Sequence, residues 1–203
     1  MFKNALVGMM MLVVAVLAGC ATPIIADLSG SDYNLSRKIN SNIKLSKVNV
    51  RNLAPETKFS TTNPGSQTHF AIRTETQFRK TLEDDIKRYF DQAVQIDTLA
   101  NKSLTITIKS ADNYFVWEGN SQVPLIALLS VGSDVDYIIS LKILFEIEEN
   151  NKVVNSYYYD DIVTIKGKGA VNSDIKEAYQ KLVAEYRAKF FSDIETMFLK
   201  RYF

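Results

Sequence analysis

The middle of the chain alternates between apolar and polar residues with the period of a β-strand. Residues 103–110 (SLTITIKS) place leucine and isoleucine on one side and threonine and lysine on the other. Residues 136–149 repeat the pattern, with Leu144 as an apolar exception on the polar side. Residues 149–152 (ENNK) have the composition of a hairpin turn and lead into residues 153–167. This pattern predicts an antiparallel meander with one buried and one solvated face.

Two segments repeat apolar residues with helical spacing instead. An apolar residue recurs at every fourth position from Phe78 to Phe90, and Thr74 and Gln77 before it have the spacing of a capping box. A longer apolar stripe occupies residues 175–198. Both segments are predicted to be amphipathic helices. The chain then ends on the apolar sequence FLKRYF, which we expect to pack against other residues.

The segment before the first helix has weaker signals. Residues 43–53 alternate as a strand does, but the phase switches between Leu45 and Val48, which predicts a bulge or a late start. Residues 54–71 contain two prolines and a glycine and show no period. They predict a long connection, either functional or disordered.

The order of elements is therefore β-α-β-β-β-α. A sheet with alternating faces needs a cover, and two amphipathic helices provide it. We predict an α+β fold: a two-layer sandwich with a mostly antiparallel sheet of about four strands covered by two helices. It forms a single domain over residues 43–203.

The N-terminus has the pattern of an export signal. Lys3 precedes an uncharged apolar run, residues 5–18, of the length of a signal-peptide core and shorter than the roughly 20 residues of a spanning helix. A secretory peptide cut near Ala21 or Ala26 and an uncleaved membrane anchor are the plain alternatives.

The sequence LAGC at residues 17–20 resembles the lipobox of bacterial lipoproteins. The resemblance implies that residues 1–19 are removed as a signal peptide and that Cys20 is acylated, so that its acyl chains hold the protein to a membrane. Residues 20–42 would then be the lipidated cysteine and a tether. Ala21 stands where retention in the inner membrane usually requires Asp, which implies attachment to the outer membrane, facing the periplasm.

Composition narrows the function classes. The net charge of +1 comes from 24 basic and 23 acidic residues, and without Lys3 the chain is neutral. A neutral domain lacks the electrostatic footprint of a nucleic-acid-binding protein. Cys20 is the single cysteine, so no disulfide is expected and the core must stabilise the fold.

The inventory of reactive side chains argues against catalysis. His69 is the single histidine and is expected on the surface, which leaves too few nitrogen and sulfur ligands for zinc. We predict no metal, no cofactor and no enzymatic activity, with a carboxylate-dependent hydrolase as the disfavoured alternative. Adjacent acidic residues diverge on a helix or a strand and are expected to be solvated. These pairs are Asp84–Asp85, Glu148–Glu149 and Asp160–Asp161.

Three stretches are candidates for contacts. The uncharged residues 123–132 (VPLIALLSVG), beside residues 113–117, either plug the core or form an exposed apolar surface. In the run of tyrosines at 157–159, at least one ring must face away from the core. Residues 166–174 (KGKGAVNSD) are either a strand-to-helix turn or an anion site. The candidate partner or ligand surface comprises Trp117, Leu125, Leu128, Leu129, Tyr157 and Tyr159, and the candidate anion turn comprises Lys166 and Lys168.

The arrangement resembles small envelope lipoproteins of the YajG-like and LptE-like groups and the auxiliary lipoproteins of ABC transporters. In the YajG-like group, a basic helix precedes a strand like SLTITIKS, and a turn like GKGA precedes the last helix. We therefore expect a non-catalytic envelope lipoprotein that acts as an accessory or assembly partner, bound to an envelope protein or to itself. A binding protein for a lipid or another apolar ligand is the alternative.

Overall fold

The structure is a computed structural model and describes residues 43–57, 60–62, 67–72, 74, 76–118, 134–168 and 172–203. Cys20, the tether and the apolar stretch 123–132 lie outside the described residues. The strands are β1 (Lys44–Leu45), β2 (Val48–Asn52), β3 (Ser60–Thr62), β4 (Gln67–Ala71), β5 (Gln95–Ile96), β6 (Lys102–Glu118), β7 (Asp134–Glu149) and β8 (Lys152–Lys168). The helices are α1 (Phe78–Ala93), α2 (Asn172–Asp193), a π-helical turn (Ile194–Leu199) and the terminal α3 (Lys200–Tyr202).

The predicted fold class is confirmed: the chain is α+β, with a mostly antiparallel sheet and two long helices. The strands β3, β4, β6, β7 and β8 follow one another across the main sheet in that order. β2 pairs in parallel with residues 104–108 of β6, so α1 lies in a crossover between parallel strands. β4 pairs in antiparallel orientation with residues 114–118 of the same strand. The long strand β6 therefore joins both halves of the sheet.

The break predicted in the first strand is confirmed. Residues 44–45 pair with β5, and a separate strand begins at Val48. Residues 54–71 differ from the expected connection, because they contain β3 and β4. These short polar strands have no apolar alternation of their own and are held by pairing with the far end of β6. The sheet consequently has two more strands than the sequence predicts.

A two-residue turn connects β7 to β8, as predicted. Asn150 and Asn151 have φ angles of 51° and 63° and so occupy the left-handed region. Two successive residues of this kind form a type I′ turn, whose twist matches that of the flanking strands. Asparagine tolerates this conformation better than residues with larger apolar side chains.

Asn151→Ala is therefore expected to lower the free energy of unfolding by about 1 kcal/mol, because alanine bears the full cost of a positive φ. Asn151→Gly is expected to be neutral or stabilising. Urea unfolding followed by circular dichroism measures both. Equal stabilities of the alanine and glycine variants would contradict the assigned turn.

Both helices cover the same face of the sheet. In β7, every second residue from Val135 to Ile147 is buried, as the alternation predicted. The ring of Phe90 in α1 contacts Phe145 of this face, at 6.3 Å between centroids. The apolar C-terminus packs as expected, since Phe198 is fully buried. Within the described residues, no helix is long and apolar enough to span a membrane.

The predicted capping box is wrong. α1 begins at Phe78, and Gln77 itself occupies the N-cap position, with no hydrogen bond from its side chain to the helix. Its carbonyl accepts from the backbone N–H of Lys80 at 2.8 Å. The Thr74 hydroxyl donates instead to the carbonyl of Thr76. The helix thus starts three residues later than the Thr74 signal indicated.

Candidate functional site

The sheet has an outer face that points away from both helices. Odd-numbered residues of β8 turn toward α2, as the contact of Tyr159 with Phe190 at 5.1 Å between ring centroids demonstrates. Even-numbered residues therefore point outward, because side chains alternate along a strand. The outer face comprises Tyr158, Asp160, Ile162, Thr164 and Lys166 of β8 and, opposite them in β7, Leu144, Lys142, Ser140, Ile138 and Asp136.

The outer face combines exposed apolar groups with charges of both signs. Tyr158 is 52% exposed and Ile162 is 58% exposed. Between them, Asp160 pairs across the strands with Lys142, at 3.6 Å from Oδ2 to Nζ. Tyrosine is enriched at contact surfaces between proteins.

The run of three tyrosines corrects one prediction. Tyr158 is the ring that faces away from the core, but Tyr157 and Tyr159 were the candidate surface residues. Tyr159 is only 4% exposed, and Tyr157 packs against the core beside Phe198 at 5.6 Å between centroids. Both are odd-numbered and lie under α2 and the π-helical turn. Neither ring belongs to the outer face. The prediction is wrong for Tyr159, which is buried, and stays a prediction for Tyr157, which is partly exposed on the other side of the sheet.

The two candidate anion-binding lysines lie at the end of β8 and are exposed. Lys168 Nζ pairs with Asp134 Oδ1 at 2.7 Å, and this hydrogen bond holds the pKa of Asp134 below its usual range. Beside them is a shallow depression lined by three lysines and three carboxylates. The described residues therefore create no excess of positive charge there. Its charged lining consists of Asp134, Lys166, Lys168, Asp174, Glu177 and Lys181.

The remaining candidate residues are placed only in part. Trp117 lies in β6, opposite Thr68 of β4. Leu125, Leu128, Leu129 and Cys20 lie outside the described residues. His69, expected in a polar loop, lies in β4 and stacks on Tyr114 at 4.9 Å between ring centroids. Within the described parts of the chain, no group of three or more His, Cys, Asp or Glu side chains is placed to hold a metal ion.

No family model and no curated protein matches the chain. Among solved structures, a DUF330 protein from Xanthomonas campestris is 9% identical, with a TM-score of 0.40 over 75% of this chain and 84% of that one. A second, described only as an uncharacterized protein, is 12% identical, with a TM-score of 0.37 over 75% of this chain and 92% of that one. The function is therefore inferred from the chain's own residues.

A buried charged cluster joins the two long helices. Asp85 of α1 accepts two hydrogen bonds from the Arg187 guanidinium, Nε–Oδ2 at 2.8 Å and Nη2–Oδ1 at 2.9 Å. The Tyr186 hydroxyl also donates to Asp85, and burial raises the pKa of this tyrosine well above its usual range. Asp85 and Arg187 are each 6% exposed. This arrangement ties α1 to α2 and uses the full bidentate geometry of the carboxylate.

The expectation that adjacent acidic residues are solvated is therefore wrong for Asp85. Asp84 does face solvent and pairs with Lys80 at 2.6 Å. The spacing of Asp85 along the helix could have predicted its burial. Asp85 lies three residues after Leu82 and four before Tyr89, on the buried stripe of α1. A carboxylate at that spacing predicts a buried partner.

A second polar cluster fixes α2 to β8. The Tyr159 hydroxyl donates to Asp161 Oδ2 at 2.9 Å and reaches Asp193 Oδ2 at 3.3 Å, and Lys189 pairs with Asp161. Partial burial alone would raise the pKa of Asp161, but hydrogen bonds from Lys189 and Tyr159 hold it below its usual range. Burial in turn raises the pKa of Tyr159, which stays protonated as a donor. In both clusters, the polar side chains bind one another and thereby hold the helices in place.

Proposed function

We propose that this chain is a lipid-anchored lipoprotein of the bacterial envelope that acts as a non-catalytic accessory or assembly partner. The observation that carries the proposal is LAGC at residues 17–20, which ends an apolar run preceded by a basic residue and contains the single cysteine. The lipobox resemblance makes Cys20 the acylated residue, and Ala21 after it favours the outer membrane facing the periplasm.

The geometry of the described domain supports a binding role. The two polar clusters, Asp85 with Arg187 and Asp161 with Lys189, hold helices to one another and to the sheet. The outer face meanwhile presents Tyr158 and Ile162 to solvent. A surface that mixes exposed apolar groups with charges of both signs suits a protein partner.

Cys20→Ser tests the anchor. The variant is expected to lose labelling by radioactive palmitate, to retain residues 1–19 and to leave the outer-membrane fraction, because serine offers no thiol for acylation. Ser29→Ala, a matched change in the tether, should be labelled and sorted like the native chain. Native protein that takes up no palmitate and is unaffected by globomycin would refute the lipoprotein assignment.

Crosslinking of the native chain in intact cells, followed by purification, tests the accessory role. A stable protein partner of the envelope is expected in the purified complex. If organic extraction instead releases a stoichiometric lipid from the chain and no protein is crosslinked, the chain is a carrier of an apolar ligand and the accessory role is wrong.

A further inference from the structure

The outer edge of β8 is the longest strand edge that the described structure leaves without a neighbouring strand. β8 is 17 residues long and, within the described residues, forms a ladder only with β7. Its sequence, KVVNSYYYDDIVTIKGK, is rich in β-branched and aromatic residues and contains no proline. Such an edge presents a row of backbone donors and acceptors that pairs readily with another strand.

The charges on β8 indicate what that second strand is. On the outer face, Asp160 and Lys166 lie on either side of Val163, each three residues from it. A two-fold axis through Val163 would place Asp160 directly opposite the partner's Lys166 and Lys166 opposite the partner's Asp160. The strand is thus complementary in charge to a reversed copy of itself.

We propose that two copies of this chain associate by antiparallel pairing of their β8 edges about a two-fold axis at Val163. The paired stretch runs from Tyr158, opposite the partner's Lys168, to Lys168, opposite the partner's Tyr158. The two sheets then form one continuous sheet. A closed two-fold pairing of this kind uses the same patch on both copies and leaves no further edge of β8 to recruit a third.

Neighbouring registers bring like charges together, shorten the paired stretch or lose the charge pairs. An axis at Ile162 would place Asp160 opposite the partner's Thr164 and Lys166 opposite the partner's Tyr158, so neither charge would face its opposite. An axis at Asp160 or at Asp161 would place like carboxylates opposite each other, which destabilises antiparallel pairs. An axis at Thr164 keeps opposite charges together, Asp160 facing the partner's Lys168, but shortens the paired stretch. The Val163 register combines two attractive pairs with a longer overlap than the Thr164 register.

The same register accounts for an exposed apolar residue. Ile162 is 58% exposed in the single chain. In the dimer it faces the partner's Thr164 and lies diagonal to the partner's Ile162, within reach of its side chain. The pairing would therefore cover the flank of this isoleucine that lies toward the partner strand, while its outer side stays in water. This inference goes beyond the accessory role proposed above and does not depend on acylation of Cys20.

The test is a charge exchange in the full chain, purified in a mild detergent and examined by sedimentation velocity. Asp160→Lys places lysines opposite each other, Lys166→Asp places aspartates opposite each other, and each is expected to weaken the dimer by about tenfold or more. The double variant, which combines both substitutions, restores opposite charges across the axis and should recover the dimer. An equimolar mixture of the two single variants should form a mixed dimer, since each then supplies the charge that the other lacks.

Lys152→Asp, a charge reversal on the same strand outside the paired stretch, is the matched control and should leave the dimer unchanged. All variants should keep the thermal midpoint of the native chain within a few degrees, because the altered side chains are exposed and surface ion pairs contribute little. Three results would each overturn the proposal: a native chain that is monomeric at tens of micromolar, single variants whose dimers dissociate no more readily than the native dimer, or folded single variants whose mixture associates no more tightly than either variant alone. Because the readout is self-association, loss of Cys20 acylation does not alter it.

Discussion

Replacing Asp85 with alanine is expected to lower the free energy of unfolding by about 3–5 kcal/mol. The substitution removes the carboxylate that accepts from Arg187 and Tyr186, so the buried guanidinium loses both of the hydrogen bonds that it donates to Asp85. Removing one partner of a buried ion pair costs far more than the pair itself contributes, since the remaining ion keeps its desolvation penalty. Urea denaturation followed by circular dichroism measures the loss.

Asp84→Ala is the matched control, because its carboxylate is adjacent in sequence but exposed and pairs with Lys80 on the surface. It should change stability by no more than about 0.5 kcal/mol. The double variant Asp85→Ala with Arg187→Leu should recover part of the lost stability, because the buried guanidinium is then removed together with the carboxylate that it contacts. A loss below about 1 kcal/mol for Asp85→Ala would mean that the cluster is hydrated rather than buried.

Phe145→Ala is the second large effect, with an expected loss of about 3–5 kcal/mol. The ring is fully buried and contacts Phe90 of α1 and Phe198 of the π-helical turn, at 6.3 and 4.9 Å between centroids. Its removal leaves a cavity at the point where α1 and the C-terminus meet the sheet. We expect the same loss by thermal and by urea unfolding.

Leu144→Ala provides the comparison for Phe145→Ala, because the adjacent residue points to the outer face. Leu144 lies opposite Tyr158 and is only partly buried. Its truncation should cost about 1 kcal/mol or less. Equal losses at positions 144 and 145 would contradict the assignment of the two faces of β7.

Most of the fold could be predicted from the sequence, because apolar residues recur with a clear period along the long strands and helices. The alternation in β7 and the stripe of α1 follow from burial on one side alone. In β6 the polar side is buried as well, at Thr105 and Thr107, so the solvated face predicted for that strand is wrong there. The asparagine pair at 150–151 is equally local, since a type I′ turn is specified by two residues. These features need no knowledge of what lies across the core.

The features that the sequence did not predict share a physical cause: each depends on residues that are distant in the sequence. β3 and β4 are polar and short, and they exist through pairing with the end of β6. The burial of Asp85 depends on Arg187, 102 residues away. The sequence of β8 does not show which of its two sides α2 covers. Tyr157 and Tyr159 were therefore assigned to a surface, although they lie on the side that faces α2. For the candidate surface, the sequence predicted that at least one of the three tyrosines faces away from the core, but it did not identify Tyr158 as that residue.

The turn at Asn150–Asn151 has a consequence for the order in which the chain assembles. From Glu149 opposite Lys152 to Asp134 opposite Lys168, each new pair of the β7–β8 ladder closes only a slightly larger loop than the one before. Pairing of β2 with β6, by contrast, must bring together Val48 and Leu104 with a whole helix between them. Loop-closure entropy therefore favours zippering of the C-terminal hairpin first. The N-terminal half would then dock on a template that the C-terminal half has already built.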